Sequence, residues 1–254
     1  MKVMYWNCTT PASTGNQFVN EKLAIQGAIV QTIDPDILCL DEVSAGVFDA
    51  NSANAFSTNN LNGAYGNPSV IVNPGIHLNT VAYSKGGTSD VKMSQGLPSD
   101  KWDSQGTKRD LTRCVFRHVS RDVAVWFLHA NASRSGGNLA TALACDSVKN
   151  KYCCVIGDFN YPIGNVDGAT TLAPKVDQFN FTQWRTNPYG SANAPGPNPP
   201  LKYDPNAVID FAIFEGKALK LTAIDTIGHL NANDQRKIFR YFDHFPVAYD
   251  ITTL

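Results

Sequence analysis

An α/β fold, with strands and helices mixed along one chain, is what the sequence predicts, and three observations predict it. Short apolar runs such as "ILCL", "VAVWFL" and "YCCVIG" are bounded by turn residues, as buried strands are. Between the first two strand candidates, Val19, Leu23, Gly27 and Val30 recur at helical spacing. The strand candidates also end, one after another, near a carboxylate, an amide or an imidazole.

Along the chain, "KVMYW" reads as a short first strand, and the helix after it stops at the turn "DPD". "ILCL" is a buried strand that runs into "DEV". Residues 51–74 are rich in Asn, Ser, Gly and Ala and read as surface loop with little regular structure. "NTVAYS", "RCVFRHV" and "DVAVWFLHA" are strands, the last with the apolar density of a central one. "NLATALACDSVKN" reads as a helix with Leu139, Leu143 and Cys145 to Val148 partly buried, and "YCCVIG" as the next strand. Residues 186–206 are the most Pro- and Gly-rich part of the chain and resemble a linker. The later strand candidates "AVIDFAIFEG" and "FPVAYDI" have too few apolar residues for a core of their own, so the stretch reads as a long loop within a single domain, 1–254.

Composition narrows the function classes. With 43% hydrophobic and 17% charged residues among 254, the chain has the make-up of a soluble globular protein. A net charge of −1 gives no blanket attraction to nucleic acid or membrane, so any phosphate contact has to come from a local patch. No apolar run reaches the roughly 18 residues of a spanning helix, and the N-terminus lacks the apolar stretch of a signal peptide. The six cysteines, Cys8, Cys39, Cys114, Cys145, Cys153 and Cys154, lack metal-type spacing and read as buried free thiols. Asn-x-Ser/Thr sequons begin at Asn7, Asn131 and Asn180.

The polar residues at the strand ends carry the chemistry. Asn7 follows the first strand, Glu42 follows "ILCL", His129 ends "VAVWFL", Asp158 and Asn160 follow "CCVI", Asp210 lies in "VIDFAIF", and Asp243 and His244 precede "FPV". Singly, each reads as a turn or loop residue; together they suit a site built at strand ends. They are also the groups that hydrolysis of a phosphate ester requires. A hard cation such as Mg²⁺ takes a few carboxylate or amide oxygens, which Glu42, Asn7 and Asp243 offer, and neutralises charge on the transition state and the leaving oxygen. A neutral histidine takes a proton from attacking water when an acid fixes its tautomer, and His244 with Asp210 fits that description. His129 is left to act as the acid or to bind the phosphate.

In these residues the chain resembles the endonuclease/exonuclease/phosphatase superfamily. "YWN" at 5–7, "LDEV" at 40–43, "LHA" at 128–130, "GDFN" at 157–160, "IDFAI" at 209–213 and "DHFPV" at 243–247 match its pattern in order over nearly the whole length. The resemblance implies a four-layered α/β sandwich, two packed mixed sheets flanked by helices, as in the deoxyribonuclease-like branch. It implies Glu42 as main metal ligand with Asn7 and Asp243 beside it, Mg²⁺ as the metal with Mn²⁺ or Ca²⁺ as alternatives, and Asp158 and Asn160 holding phosphate and water. It makes His244 the base oriented by Asp210, His129 the second catalytic histidine, and Arg109, in "KRDLTRCVF", a phosphate-binding arginine.

Within the superfamily the chain is most similar to the catalytic subunit of cytolethal distending toxins, through "HLNTVAYS" at 77–84, "HANASRSGGN" at 129–138 and "DHFPV". That likeness implies a secreted bacterial protein acting on DNA, although no partner-binding segment for toxin-delivery subunits is evident. In pancreatic-type deoxyribonuclease an acid on the preceding strand partners the histidine equivalent to His129; the matching position here is His77, with Asn79 nearby, so that pairing is expected to be absent. Arg109, Arg113, Arg117, Arg121 and Arg134 lie near the expected site in sequence and are candidates for tracking a phosphate backbone. His118 and His229 have no motif around them and read as structural or solvent-facing.

The expected function is a metal-dependent phosphodiesterase, an endonuclease nicking DNA with little sequence preference. Lipid or inositol phosphates are the alternative substrates. The inositol phosphatase pattern of a tryptophan before the Gly-Asp pair and an arginine after the asparagine is missing, and the aromatics Phe56, Tyr65, Trp184 and Tyr189 form no membrane wedge. A non-catalytic binding protein on the same fold is the second alternative. His244 is expected near the surface of the site.

Overall fold

The computed structural model describes residues 1–10, 17–43, 65, 70–72, 79–85, 92–95, 112–118, 120–129, 151–166, 170–172, 208–242 and 244–254. The strands are β1 (Lys2–Thr10), β2 (Ile37–Val43), β3 (Val70–Val72), β4 (Asn79–Ser84), β5 (Lys92–Gln95), β6 (Thr112–His118), β7 (Arg121–His129), β8 (Cys153–Asp158), β9 (Thr170–Leu172), β10 (Asp210–Phe214), β11 (Leu219–Ile224) and β12 (Val247–Thr253). The helices are α1 (Gln17–Ile33) and α2 (Ala232–Tyr241).

Among the described residues these strands form two six-stranded mixed sheets, one in the order β11-β12-β1-β2-β4-β3 and the other β5-β6-β7-β8-β10-β9. Each has a parallel pair at its heart, β1 with β2 and β7 with β8, flanked by antiparallel neighbours. The expected α/β sandwich is thus the observed one.

The pleat explains how the sheets face one another. Side chains alternate along a strand, so residues two apart share a face. Val3, Tyr5, Ile37, Cys39, Val247 and Tyr249 of one sheet form a single buried cluster with Val123, Val125, Phe127, Cys154, Ile156 and Ala212 of the other, and the Tyr5 and Phe127 rings stack at 6.4 Å. The intervening residues, Met4, Trp6, Cys8, Leu38 and Leu40 on one sheet, join the buried face of α1 through Leu23, Ile29, Val30 and Ile33. That face repeats at helical spacing, as the sequence pattern requires. At the start of α2, the Asn231 side chain accepts hydrogen bonds from the backbone N–H groups of Asn233 and Asp234, an N-cap.

Several expectations need correction. β1 continues to Thr10, so Asn7 lies inside the strand, just before a register shift. The stretch 51–74 contains β3 and the buried Tyr65, whose hydroxyl donates to the Pro35 carbonyl; the rest of it lies outside the described residues. The sequence reading did not mark β5, β11 or α2, although Leu219 and Leu221 alternate with Lys220 and Thr222 in β11. The helix expected at 138–150 and the loop at 186–206 lie outside the described residues, as do Cys145, Asn131, Asn180 and His77. Cys8, Cys39, Cys153 and Cys154 are buried free thiols, as expected. Asn7 is buried, so its sequon offers no accessible acceptor.

Candidate active site

Register and pleat together bring the polar strand ends to one place. In the first sheet Asn7 is the register partner of Asp41. In the second, His129 pairs with Asp158 and Asp158 with Asp210, so the three stand side by side on neighbouring strands. Asn7 continues the face of Val3 and Tyr5, Asp41 that of Cys39, His129 that of Phe127, Asp158 that of Ile156, and Asp210 that of Ala212. All five therefore point into the space between the sheets, at the carboxyl ends of the two parallel pairs, where open α/β sheets carry their ligands. His244 arrives from the segment before β12, held by its backbone. The Trp6 indole donates to the His244 carbonyl at 3.0 Å, Trp6 packs on Phe242 at 4.5 Å between ring centroids, and Lys22 of α1 covers the same ring.

The motif "VIGDFN" acquires a physical reason here. A Cβ on Gly157 would lie 1.9 Å from the Leu128 carbonyl oxygen, so no other residue lets β7 and β8 run this close. Phe159 stacks on Phe211 at 4.3 Å and donates its backbone N–H to the Ile209 carbonyl, tying the end of β8 to the start of β10. Asn160 has φ 47°, a left-handed conformation that asparagine tolerates, and donates its backbone N–H to Asp158 Oδ1 at 2.8 Å. Glu42 has φ 54°, which breaks the alternation of β2 immediately after Asp41. For a glutamate this conformation costs about 1 kcal/mol or more, the kind of local strain that gathers at working sites.

Two imidazoles and four carboxylates converge: His129 and His244 with Asp41, Glu42, Asp158 and Asp210. His244 Nδ1 is 2.7 Å from Asp210 Oδ2, and its Nε2 is 3.9 Å from Asp158 Oδ2. His129 Nε2 lies 3.6 Å from Glu42 Oε1 and 3.7 Å from Asp158 Oδ2. Asp158 Oδ2 accepts from the amides of Asn7 and Asn160, each at 3.2 Å. Burial pushes the Asp210 carboxyl up, to about 7, against the downward pull of His244; nearby Asp158 adds to the rise. His244 is 0% exposed, so it lies deeper than expected, and Glu42, at 21% for its side chain, is the most open of the six.

The oxygen donors fit a hard cation. Asn7 Oδ1 is buried and, among the described residues, no donor reaches it, which leaves an acceptor to be satisfied beside the carboxylates. Ligating atoms of Asp158, Asp210 and His244 also lie within 4.8 Å of one another. His244 Nδ1 and Asp210 are already committed to each other, however, and Asp158 takes three amide donors. Each of that trio already has a hydrogen-bond partner, and Glu42 and Asn7 Oδ1 are the further oxygen donors a cation could use.

Other expected residues separate from the site. Arg117 and Arg121 sit at the β6–β7 turn, paired in register with Asp122 and His118. β7 has nine residues from Arg121 to His129, an end-to-end length of about 26 Å at the rise of a strand. Neither arginine can touch a phosphate at the site, and their nearness was one of sequence alone. Arg109, Arg134 and Asp243 lie outside the described residues, and of Arg113 only the backbone is described. His118 is structural, its Nδ1 2.9 Å from Thr253 Oγ1 across the sheets. Tyr65 is buried and is no membrane contact; Phe56, Trp184 and Tyr189 lie outside the described residues.

One site residue, Asp41, is not singled out by motif spacing. The strand before His129 offers it no acid, which is why an acidic partner was not expected. The partner comes instead from the facing sheet: Asp41 Oδ1 lies 3.5 Å from His129 Nδ1. The signal was present in "LDEV", since Asp41 shares the pleat face of Cys39.

No family model and no curated protein matches the chain. Solved structures do. TDP2 from Caenorhabditis elegans superposes with a TM-score of 0.61 at 18% identity, over 100% of this chain and 74% of that one. D. rerio TDP2, complexed with a single strand DNA product, gives 0.59 at 13% identity over 100% and 99%. The endonuclease/exonuclease/phosphatase from Beutenbergia cavernae DSM 12333 gives 0.56 at 16% identity over 99% and 71%. At these identities what is shared is the fold, and it is the fold of the endonuclease/exonuclease/phosphatase superfamily.

Proposed function

We propose that the chain is a divalent-metal-dependent phosphodiesterase, and that its substrate is DNA, nicked with little sequence preference. The observation that carries the reading is the buried His244–Asp210 pair at 2.7 Å, set beside Asp158 and facing His129 and Glu42. Asp210 accepts the Nδ1 proton and so leaves Nε2 to take a proton from water as its oxygen bonds to phosphorus. The ester P–O bond breaks, and His129, carrying a proton on Nε2 as well as on Nδ1 at that step, is placed to give it to the leaving oxygen. Asn7 and Asn160 hold Asp158 through its Oδ2, which keeps the carboxylate from turning towards either ring. A cation on Glu42 and Asn7 would supply charge neutralisation for the phosphate and the leaving oxygen. Without it, four carboxylates would repel an anionic diester.

DNA is favoured over lipid by the single strand DNA product on the D. rerio TDP2 structure. Among the described residues no helix is long and apolar enough to cross a membrane. A genotoxin-like role, secretion and delivery subunits rest on the sequence resemblance alone. The test is conversion of supercoiled plasmid to nicked circles with Mg²⁺, with Mn²⁺ and with EDTA, for wild type and His244→Asn. Asparagine is used because alanine would leave a cavity and a stranded carboxylate around a fully buried ring. Nicking should require metal and fall at least about 100-fold in the variant, the scale of a lost general base. Equal nicking by the variant would remove His244 as the base, and no nicking under any metal would overturn the nuclease reading.

A further inference from the structure

Asp41 is a buried charge with an unusually complete set of partners. Its Oδ2 accepts the Tyr5 hydroxyl at 2.9 Å, and its Oδ1 accepts the Thr80 hydroxyl at 2.5 Å and the Glu42 backbone N–H at 3.3 Å. Tyr5 comes from β1 and Thr80 from β4, the two strands that flank β2, so each neighbour contributes one hydroxyl. Burial holds the Tyr5 phenol well above its ordinary range, which keeps it a donor. Burial also pushes the Asp41 carboxyl up, but His129 and the Thr80 and Tyr5 hydroxyls outweigh it and bring it below the ordinary value. Held in this way the carboxylate is fixed in orientation, as a buried charge must be to offset its desolvation.

The same Oδ1 faces His129 Nδ1 at 3.5 Å, the outer limit of a hydrogen bond, across the gap between the sheets. The other end of the ring, Nε2, faces Glu42 and Asp158. The two nitrogens therefore look in different directions, one into a fixed acceptor and one into the site. We propose that Asp41 is the positioning residue of His129, taking its Nδ1–H and presenting Nε2 to the site, as Asp210 does for His244. Two carboxylate–imidazole pairs, one between β2 and β7 and one between β10 and the segment before β12, would then face each other over Asp158. The effect of Asp41 on rate rests on the phosphodiesterase reading; the state of the ring does not.

The test therefore has two arms. In the metal-free full-length chain, ¹⁵N-detected NMR of the histidine rings, at a pH where the rings are neutral, should show His129 as the Nδ1–H tautomer. His129→Gln assigns the signal. Asp41→Asn should shift that tautomer equilibrium towards Nε2–H, while the His244 signals stay in place. An Nε2–H ring in wild type overturns the proposal without any variant, even if the chain cleaves no phosphodiester and Asp41→Asn does not fold. In the second arm, plasmid nicking by Asp41→Asn should lose about 10- to 100-fold in kcat with KM within twofold, and Asp41→Asn should cost less than twofold more in a His129→Gln background. Equal losses in both backgrounds would make Asp41 a merely structural residue and overturn its role.

Discussion

Asp210 and Asp41 show how two buried carboxylates of one site are driven in opposite directions. Asp41 has hydroxyl donors on both oxygens, whereas Asp210 Oδ1 is buried and, among the described residues, without a donor. Its second oxygen has only the His244 ring. Burial therefore dominates at Asp210 and raises it from 3.8 to about 7. In the metal-free protein the folded Asp210–His244 pair therefore holds a proton at pH values where the Asp210 of the unfolded chain has already released its own. A state that binds more protons loses ground as pH rises, so the folded state is favoured below 3.8 and loses that advantage as pH climbs towards 7. Urea unfolding in EDTA should show wild-type stability falling relative to Asp210→Asn across this window. A difference that stays flat with pH would mean that Asp210 is ionised throughout.

Among the elements, β8 is the one whose composition is most tightly dictated. It is buried along its whole length, lies between parallel β7 and antiparallel β10, and ends in the carboxylate at the centre of the site. Gly157 is where the backbone of β7 leaves no room, the Leu128 carbonyl being 1.9 Å from where a Cβ would stand. Gly157→Ala must then part the central strands and displace Asp158 with them. We expect it to cost more than about 4 kcal/mol in unfolding free energy, in the range reserved for severe core disruption, and to abolish nicking. A variant within about 1 kcal/mol of wild type in chemical denaturation would show that β7 and β8 can separate cheaply. Sequence alone marked this strand and its turn, because Val155, Ile156, Gly157 and Asp158 carry both signals. It did not mark β5, whose "KMSQ" has no apolar alternation, or α2, whose ten residues are mostly polar. Such elements are held by their neighbours and leave little local trace.

For the molecule as a whole, the candidate site lies at one end of the sandwich. The opposite end carries Arg117 and Arg121, both exposed, and the His118–Thr253 link. Replacing Arg117 and Arg121 together by alanine should leave plasmid nicking within twofold and leave its dependence on salt unchanged, since removing arginines that touch no phosphate releases no counterions. A weaker, less salt-sensitive variant would show that DNA wraps around to that end. The arginines illustrate why a sequence can mislead: they are close to His129 along the chain, and an extended strand carries them away from it. The acids and imidazoles were legible for the converse reason. Asn7, Asp158, Asp210 and His244 each end or open a recognisable apolar run, and topology gathers such ends. Asp41 went unread because its partner lies across the sandwich, a relation that no spacing along the chain records.

The pleat that aims Asn7, Asp41, His129, Asp158 and Asp210 into one space also limits how this chain can change its length. Deleting or inserting one residue within any of those strands would put its polar end out of step with the face it continues and bring the neighbouring side chain in. Growth and loss are tolerated where no such parity is at stake, in the connections between strands. Over long descent the protein should therefore vary in the reach of its loops and remain almost invariant in the residue count of β1, β2, β7, β8 and β10.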